Sequence, residues 1–99
     1  MKTPSQQAKE FRDAYTLTDT MQKREHQKVL IDEEYSEFIE AHYRLDRVDT
    51  IKELADLVYV CFQYAANLRW DLGTALERVH ESNMSKLGED GKPVYRGDG

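Results

Sequence analysis

Residues 50–68 read TIKELADLVYVCFQYAANL, and this stretch decides the fold. From Leu54 to Leu68 it holds one charged side chain, Asp56, and no Gly or Pro. Its apolar residues fall on every side of a helix with 3.6 residues per turn, so no single stripe can face a core while the rest faces water. Asp49 is placed to start this helix by accepting from the free N–H groups of its first turn. A helix of this kind must be covered all round.

The flanking sequence supplies the cover. Toward the N-terminus, Thr3, Pro4 and Gln6 read as an N-cap, a proline at the first helical position and a capping-box partner, giving a helix from about Pro4 to Tyr15. Thr18 or Asp19 can cap a second helix, which runs without Pro or Gly through Arg44 and would be nearly 40 Å long at about 1.5 Å per residue. Toward the C-terminus, Asp71 caps LGTALERVHESNMSK, which stops near Gly88. Residues 88–99, GEDGKPVYRGDG, have turn formers and no period, and read as a loop-like tail. The expectation is one all-α domain over residues 1–99, an antiparallel four-helix bundle-like fold. Three partner helices in so small a chain can hardly enclose the third, which predicts a homodimer or a dimer of dimers.

Composition agrees and excludes several classes. At 39% hydrophobic and 33% charged, with five Gly and two Pro, the chain is too apolar for disorder and too poor in turn residues for a many-stranded β fold. A net charge of -5, with 14 Lys and Arg scattered among 19 acids, argues against nucleic acid as a partner. No stretch approaches the roughly eighteen apolar residues of a membrane span, and MKTPSQQAKEF lacks the apolar core of a signal peptide, so a cytoplasmic protein is expected. Cys61 is the sole cysteine, leaving neither an intrachain disulfide nor a thiolate-rich zinc site.

The chemistry lies in the acids. On the second helix Leu30, Glu34, Glu37, Ala41 and Leu45 keep the spacing of one buried stripe, with Phe38 beside it. On the third, Glu53 and Asp56 repeat the three-residue step, and the stripe goes on through Val60, Gln63 and Asn67. An exposed acidic helix face is the ordinary explanation of an isolated EExxE, but here carboxylates stand where core residues belong. If the two stripes face one another, each close pair repels by roughly 4 kcal/mol at 4 Å and an effective dielectric near 20. Protonation, a nearby Lys or Arg, or a divalent cation must relieve this. Carboxylate oxygens are hard donors that suit Mg²⁺ or Mn²⁺ and leave positions for water and phosphate.

EEYSE at Glu33–Glu37, then fifteen residues, then ELAD at Glu53–Asp56 resembles the paired EExxE and ExxD motifs of the MazG-like all-α nucleoside triphosphate pyrophosphohydrolases, over roughly residues 5–96. The resemblance implies hydrolysis of a nucleoside triphosphate, deoxy or ribo, to the monophosphate and pyrophosphate, with Mg²⁺ held by Glu34, Glu37, Glu53 and Asp56. Glu33 is about 100° around the helix from Glu34 but about 40° from Glu37, which suits it to orient or deprotonate the attacking water. Asn83 and Lys86 resemble the Asn and Lys that contact phosphates in relatives, and Lys92 and Arg96 carry the charge to close over phosphates from the tail. Phe11, Tyr15 and Trp70 are available to stack on a base, although packing is the commoner fate of such rings. The related phosphoribosyl-ATP pyrophosphohydrolases share fold and motifs, and overall appearance sets this chain nearer the free-standing MazG-like type.

Two other readings compete. A non-catalytic helical dimerisation module would use the acids for solubility alone. A ferritin-like di-iron bundle requires two ExxH motifs, and this chain has one, Glu77 to His80.

Overall fold

A computed structural model describes residues 1–18 and 21–94 of the chain. Among the described residues four α-helices follow one another: α1 Pro4–Ala14, α2 Arg24–Arg44, α3 Arg47–Asn67 and α4 Leu72–Met84, with a 3₁₀ turn at Met21–Lys23 leading into α2. The fold is all-α and bundle-like.

The helix starts follow their caps. The Thr3 side chain accepts from Gln6 N–H while the Gln6 side chain accepts from Thr3 N–H, completing the capping box ahead of Pro4. Asp71 accepts from both the backbone N–H and the hydroxyl of Thr74, at 2.9 and 2.8 Å, and these bonds hold its carboxyl below the usual carboxylate range. The start of α3 differs from expectation. Asp46, not Asp49, is the N-cap, accepting from Asp49 N–H at 3.0 Å, and Asp49 falls in the first turn, where its carboxylate pairs with Arg44. The start of α2 also differs, because the chain enters through the 3₁₀ turn and Lys23 offers no side-chain acceptor. Asp19, the other cap considered for α2, lies outside the described residues.

Three helix ends turn through residues at positive φ that are not glycine: Thr16, Leu45 and Arg69. At two of them the backbone closes a Schellman motif, with Leu17 N–H donating to Arg12 O and Trp70 N–H donating to Ala65 O, both at 2.9 Å. The α4 helix stops at Met84, short of Gly88. Beyond it, Leu87 and Pro93 form an isolated antiparallel bridge and Gly88 N–H donates to Lys92 O at 2.8 Å, so residues 87–93 make a tight reversal around Gly91, whose φ of 75° favours glycine.

The α2 and α3 helices lie along each other, joined by Leu45 and Asp46, and α1 packs across α3. Ala41 of α2, Phe62 and Ala65 of α3 and Ala8 of α1 are buried where these elements meet. Of the stripes expected from sequence, Ala41, Gln63 and Asn67 are buried and Leu30, Glu34, Glu53, Asp56 and Val60 half-buried, with Gln63 and Asn67 bonded to Arg12 of α1, whereas Glu37 is exposed and Leu45, beyond the end of α2, is 87% exposed. The α4 helix packs chiefly on α1 and buries none of its residues. On the outer side of α3, Val48, Ile51, Leu54 and Val58 stay exposed. No helix among the described residues is long and apolar enough to cross a membrane.

Candidate active site

The two long helices bring together the two acidic motifs. One carboxylate oxygen from each of Glu34, Glu37 and Glu53 lies within 4.8 Å of the other two. Glu34 and Glu37 are a turn apart on the face of α2 that meets α3, and Glu53 rises from the second turn of α3 to meet them. Burial is uneven: the Glu53 side chain is 12% exposed, Glu34 is half-buried and Glu37 is open to solvent. The Oε2 atoms of Glu34 and Glu53 are both buried, and neither has a hydrogen-bond partner.

Three carboxylates so placed repel. At 4.8 Å and an effective dielectric near 20, each pair costs about 3.5 kcal/mol. Lys52 offers partial relief, with Nζ 3.3 Å from Glu53 Oε1 and 3.0 Å from Asp56 Oδ2. The hydrogen bond to Asp56, followed by that to Glu53, pushes the Lys52 ammonium pKa up and keeps it charged. Yet Lys52 engages the Oε1 of Glu53, so the buried Oε2 atoms of Glu53 and Glu34 are left without a partner. A hard divalent cation is the ligand that this all-oxygen donor set fits, and Mg²⁺ and Mn²⁺ belong to that class.

Not every expected residue joins the cluster. Asp56 stands one turn further along α3, and its carboxylate is turned to Lys52 rather than to the three glutamates. Glu33 is exposed at the edge of α2, next to Glu34. Asn83 lies in the last turn of α4, while Lys86 and Lys92 follow it, all three exposed and without a hydrogen bond or ion pair from their side chains to the site carboxylates. Arg96 lies outside the described residues. Of the three aromatic candidates, Phe11 is half-buried and packs on Tyr15 and Tyr59 at ring separations of 4.5 and 5.8 Å, whereas Trp70 meets Tyr64 edge-on at 6.2 Å at the far end of α3.

Three residues matter here that the motifs did not single out. Lys52 is one, and its signal was its position four residues before Asp56, where an ion pair forms across one helical turn. Arg12 is the second. It is 3% exposed and donates to Gln63 Oε1 at 3.3 Å, Asn67 Oδ1 at 3.1 Å and the Thr18 carbonyl at 3.4 Å, while Gln63 Nε2 donates to the Ala8 carbonyl. This network fastens α1 to the polar half of the α3 stripe. The third is Gln27, buried on α2 two turns before Glu34.

Beyond the carboxylates, α1, α2 and α3 enclose a groove of about 490 Å³ whose walls include Phe11, Leu30, Tyr59 and Val60 together with Arg12, Gln27 and Gln63. Leu30 is one turn from Glu34 and Val60 one turn from Asp56, so groove and acidic cluster share the same seam. The arrangement combines a cation-seeking oxygen cluster with an adjoining, mostly apolar slot.

The profile of the phosphoribosyl-ATP pyrophosphohydrolase family matches residues 1–83, a span that takes in both acidic motifs and nearly all of α4. No curated protein and no solved structure matches the chain. The chain belongs to the phosphoribosyl-ATP pyrophosphohydrolase family, and so to the pyrophosphohydrolases that act on a phosphoanhydride bond of a nucleotide.

Proposed function

We propose that this protein is a Mg²⁺-dependent nucleoside triphosphate pyrophosphohydrolase, which uses water to cleave the α,β-phosphoanhydride and releases the monophosphate and pyrophosphate. The observation that carries the reading is the pair of buried, unpartnered carboxylate oxygens on Glu34 and Glu53, set beside Glu37 in a chain of this family. Glu34, Glu37 and Glu53 would hold the metal, and Asp56 joins them by giving up Lys52, with Mn²⁺ a workable substitute. The bound cation would supply charge neutralisation on the triphosphate and a lower pKa for water.

The remaining steps belong to the chain. Glu33 accepts the proton of the attacking water as its oxygen bonds to phosphorus, and the bridging P–O bond breaks to release pyrophosphate. Lys52, displaced from Asp56, stands at the rim as a cation for the entering polyphosphate. Asn83, Lys86, Lys92 and Arg96 are proposed as further phosphate contacts from the C-terminal part of the chain.

The family match adds phosphoribosyl-ATP as a second candidate substrate beside the nucleoside triphosphates, and hydrolysis of the same bond by the same residues would serve both. The deciding experiment offers common and modified nucleoside triphosphates, together with phosphoribosyl-ATP, to the protein with Mg²⁺ and follows products by phosphorus NMR. Monophosphate and pyrophosphate are expected, with activity lost in Glu37→Ala and Asp56→Ala. Full activity in both variants would remove the metal site, and orthophosphate as product would change the reaction.

A homodimer, alone or paired into a tetramer, is proposed as the working form. The chain exposes 8114 Å², against about 5,800 Å² for a compact monomer of its mass. Its radius of gyration is 17.0 Å, against about 13 Å for a compact domain of this length. Ile51, Leu54 and Val58 of α3 with Leu76 and Val79 of α4 are the exposed apolar side chains that a second copy would cover. A monomer mass by sedimentation at every concentration would end this part of the proposal.

A further inference from the structure

Gln27 sits on the α2 stripe that carries Glu34, seven positions earlier, and is 6% exposed. Its Oε1 is buried and has no hydrogen-bond partner. A polar atom in that state destabilises the folded chain unless something that binds satisfies it, because water has been lost and no donor has replaced it. The same side chain lines the groove formed with Phe11, Leu30, Tyr59 and Val60. Two features thus meet at one residue: Gln27 lines a cavity of about 490 Å³ and carries a buried amide oxygen without a partner.

We propose that this groove takes the nucleobase of the substrate and that Gln27 is the residue that reads it, an inference that rests on the nucleotide reading given above. A carbonyl oxygen repels phosphate, so the group that meets it must bring a donor, and in a slot walled by Phe11, Leu30, Tyr59 and Val60 an N–H on a flat base suits better than the hydroxyls of a sugar. Every common base presents an N–H beside an acceptor on one edge, and a glutamine amide matches such an edge by accepting at Oε1 and donating at Nε2. The apolar and aromatic walls suit the faces of a flat heterocycle. The distance also fits. Two helical turns, about 10 Å, separate Gln27 from Glu34, a span that a ribose and the first phosphate bridge, so a base in the groove brings the α,β bond to the carboxylates. Lys23 and His26, which also line the groove, come from the turn at which α2 begins.

The test sets nucleoside triphosphates beside analogues lacking the N–H donor of the base: purine riboside for adenosine, pyrimidin-2-one riboside for cytidine and the ring N-methylated forms for inosine and uridine. For its best substrate the wild type should prefer the parent by about 10- to 100-fold in kcat/KM. In Gln27→Leu that preference should collapse, mainly through a rise in KM for the parent with kcat little changed, since the contact is remote from the bond that breaks. The melting temperature should hold or rise, because leucine removes an unpartnered amide at similar volume. Gln27→Met serves the same purpose should the leucine variant not fold.

Preference kept intact in a folded variant, or an equal loss for every nucleotide, would overturn the assignment while leaving the pyrophosphohydrolase reading in place. A variant altered in sedimentation but not in base preference would mean that a second copy of the chain covers Gln27, and would overturn it too. Wild-type protein that cleaves no nucleotide, phosphoribosyl-ATP included, would sink both readings together.

Discussion

Replacing Glu34 with Gln should make the metal-free protein more stable, although it removes part of the candidate site. In the cluster, one Glu34 oxygen lies within 4.8 Å of two other carboxylate oxygens. At an effective dielectric near 20 the two repulsions sum to about 7 kcal/mol, an upper bound that ignores solvent and salt. Glu37 is exposed and Lys52 already draws on Glu53, so a net gain of about 1–2 kcal/mol is the realistic scale. For a domain of this size that corresponds to roughly 4–8 °C in melting temperature per kcal/mol. Thermal unfolding followed by far-UV circular dichroism, at low ionic strength with chelator and then across a Mg²⁺ titration, reads both halves of the effect. Mg²⁺ that binds the folded form should stabilise the wild type by about 2.7 kcal/mol at one hundred times its dissociation constant. Glu34→Gln should start higher and gain less, so the two curves converge or cross as Mg²⁺ is added. A variant no more stable than wild type in chelator, with the same Mg²⁺ increment, would refute both the repulsion and the cation site.

Other expectations follow from the frame around the site. Arg69→Gly should raise stability by about 1 kcal/mol in thermal or urea unfolding, since Arg69 holds the left-handed position of a Schellman motif at φ 60° where glycine carries no Cβ penalty. Arg12→Met should lower stability by about 2–4 kcal/mol, because the side-chain oxygens of Gln63 and Asn67 lose a buried donor, and wild-type stability in that variant would dismiss the network. Asp71 has a folded pKa below its unfolded value, so the stabilisation from its cap is complete above about pH 4 and fades as pH falls through the folded pKa. Asp71→Asn should therefore flatten that part of the acid unfolding curve, and an unchanged curve would show that the cap adds nothing there.

The parts of the fold legible in the sequence were those written in local chemistry. Thr3, Pro4 and Gln6 start α1 and Asp71 starts α4 because each cap acts within three residues of itself. Asp49 has the right side chain to begin α3, but the structure starts the helix three residues earlier on Asp46 and pairs Asp49 with Arg44, a contact between helix ends that the local sequence does not announce. The ends of α2 and α3 fall within a residue of the expected Arg44 and Leu68, although Leu45 and Arg69 occupy positions usually signalled by glycine. Periodicity placed Glu34, Glu37 and Glu53 on facing stripes, and the structure brings those three together. It could not separate Asp56 from them, because one turn of α3 covers both Glu53 and Asp56 and the difference lies in where Lys52 reaches. Arg12 and Gln27 were hidden for another reason: Arg and Gln are ordinarily surface residues, and only tertiary packing reveals that these two are inside.

The short connection between α2 and α3 has a consequence for how the molecule assembles. Glu37 and Glu53 are 16 positions apart and Glu34 and Glu53 are 19 apart, so the oxygen cluster closes a small loop whose entropic cost is low. Both helices that carry the acids belong to one hairpin, so the contacts that gather those carboxylates are local in the chain. The neighbouring groove is different, for Phe11 comes from α1 and must arrive across a far longer stretch of chain. Gathering the acids is thus a local event and enclosing the slot a non-local one, so a lengthened connection between α1 and α2 would burden the slot and spare the acidic cluster.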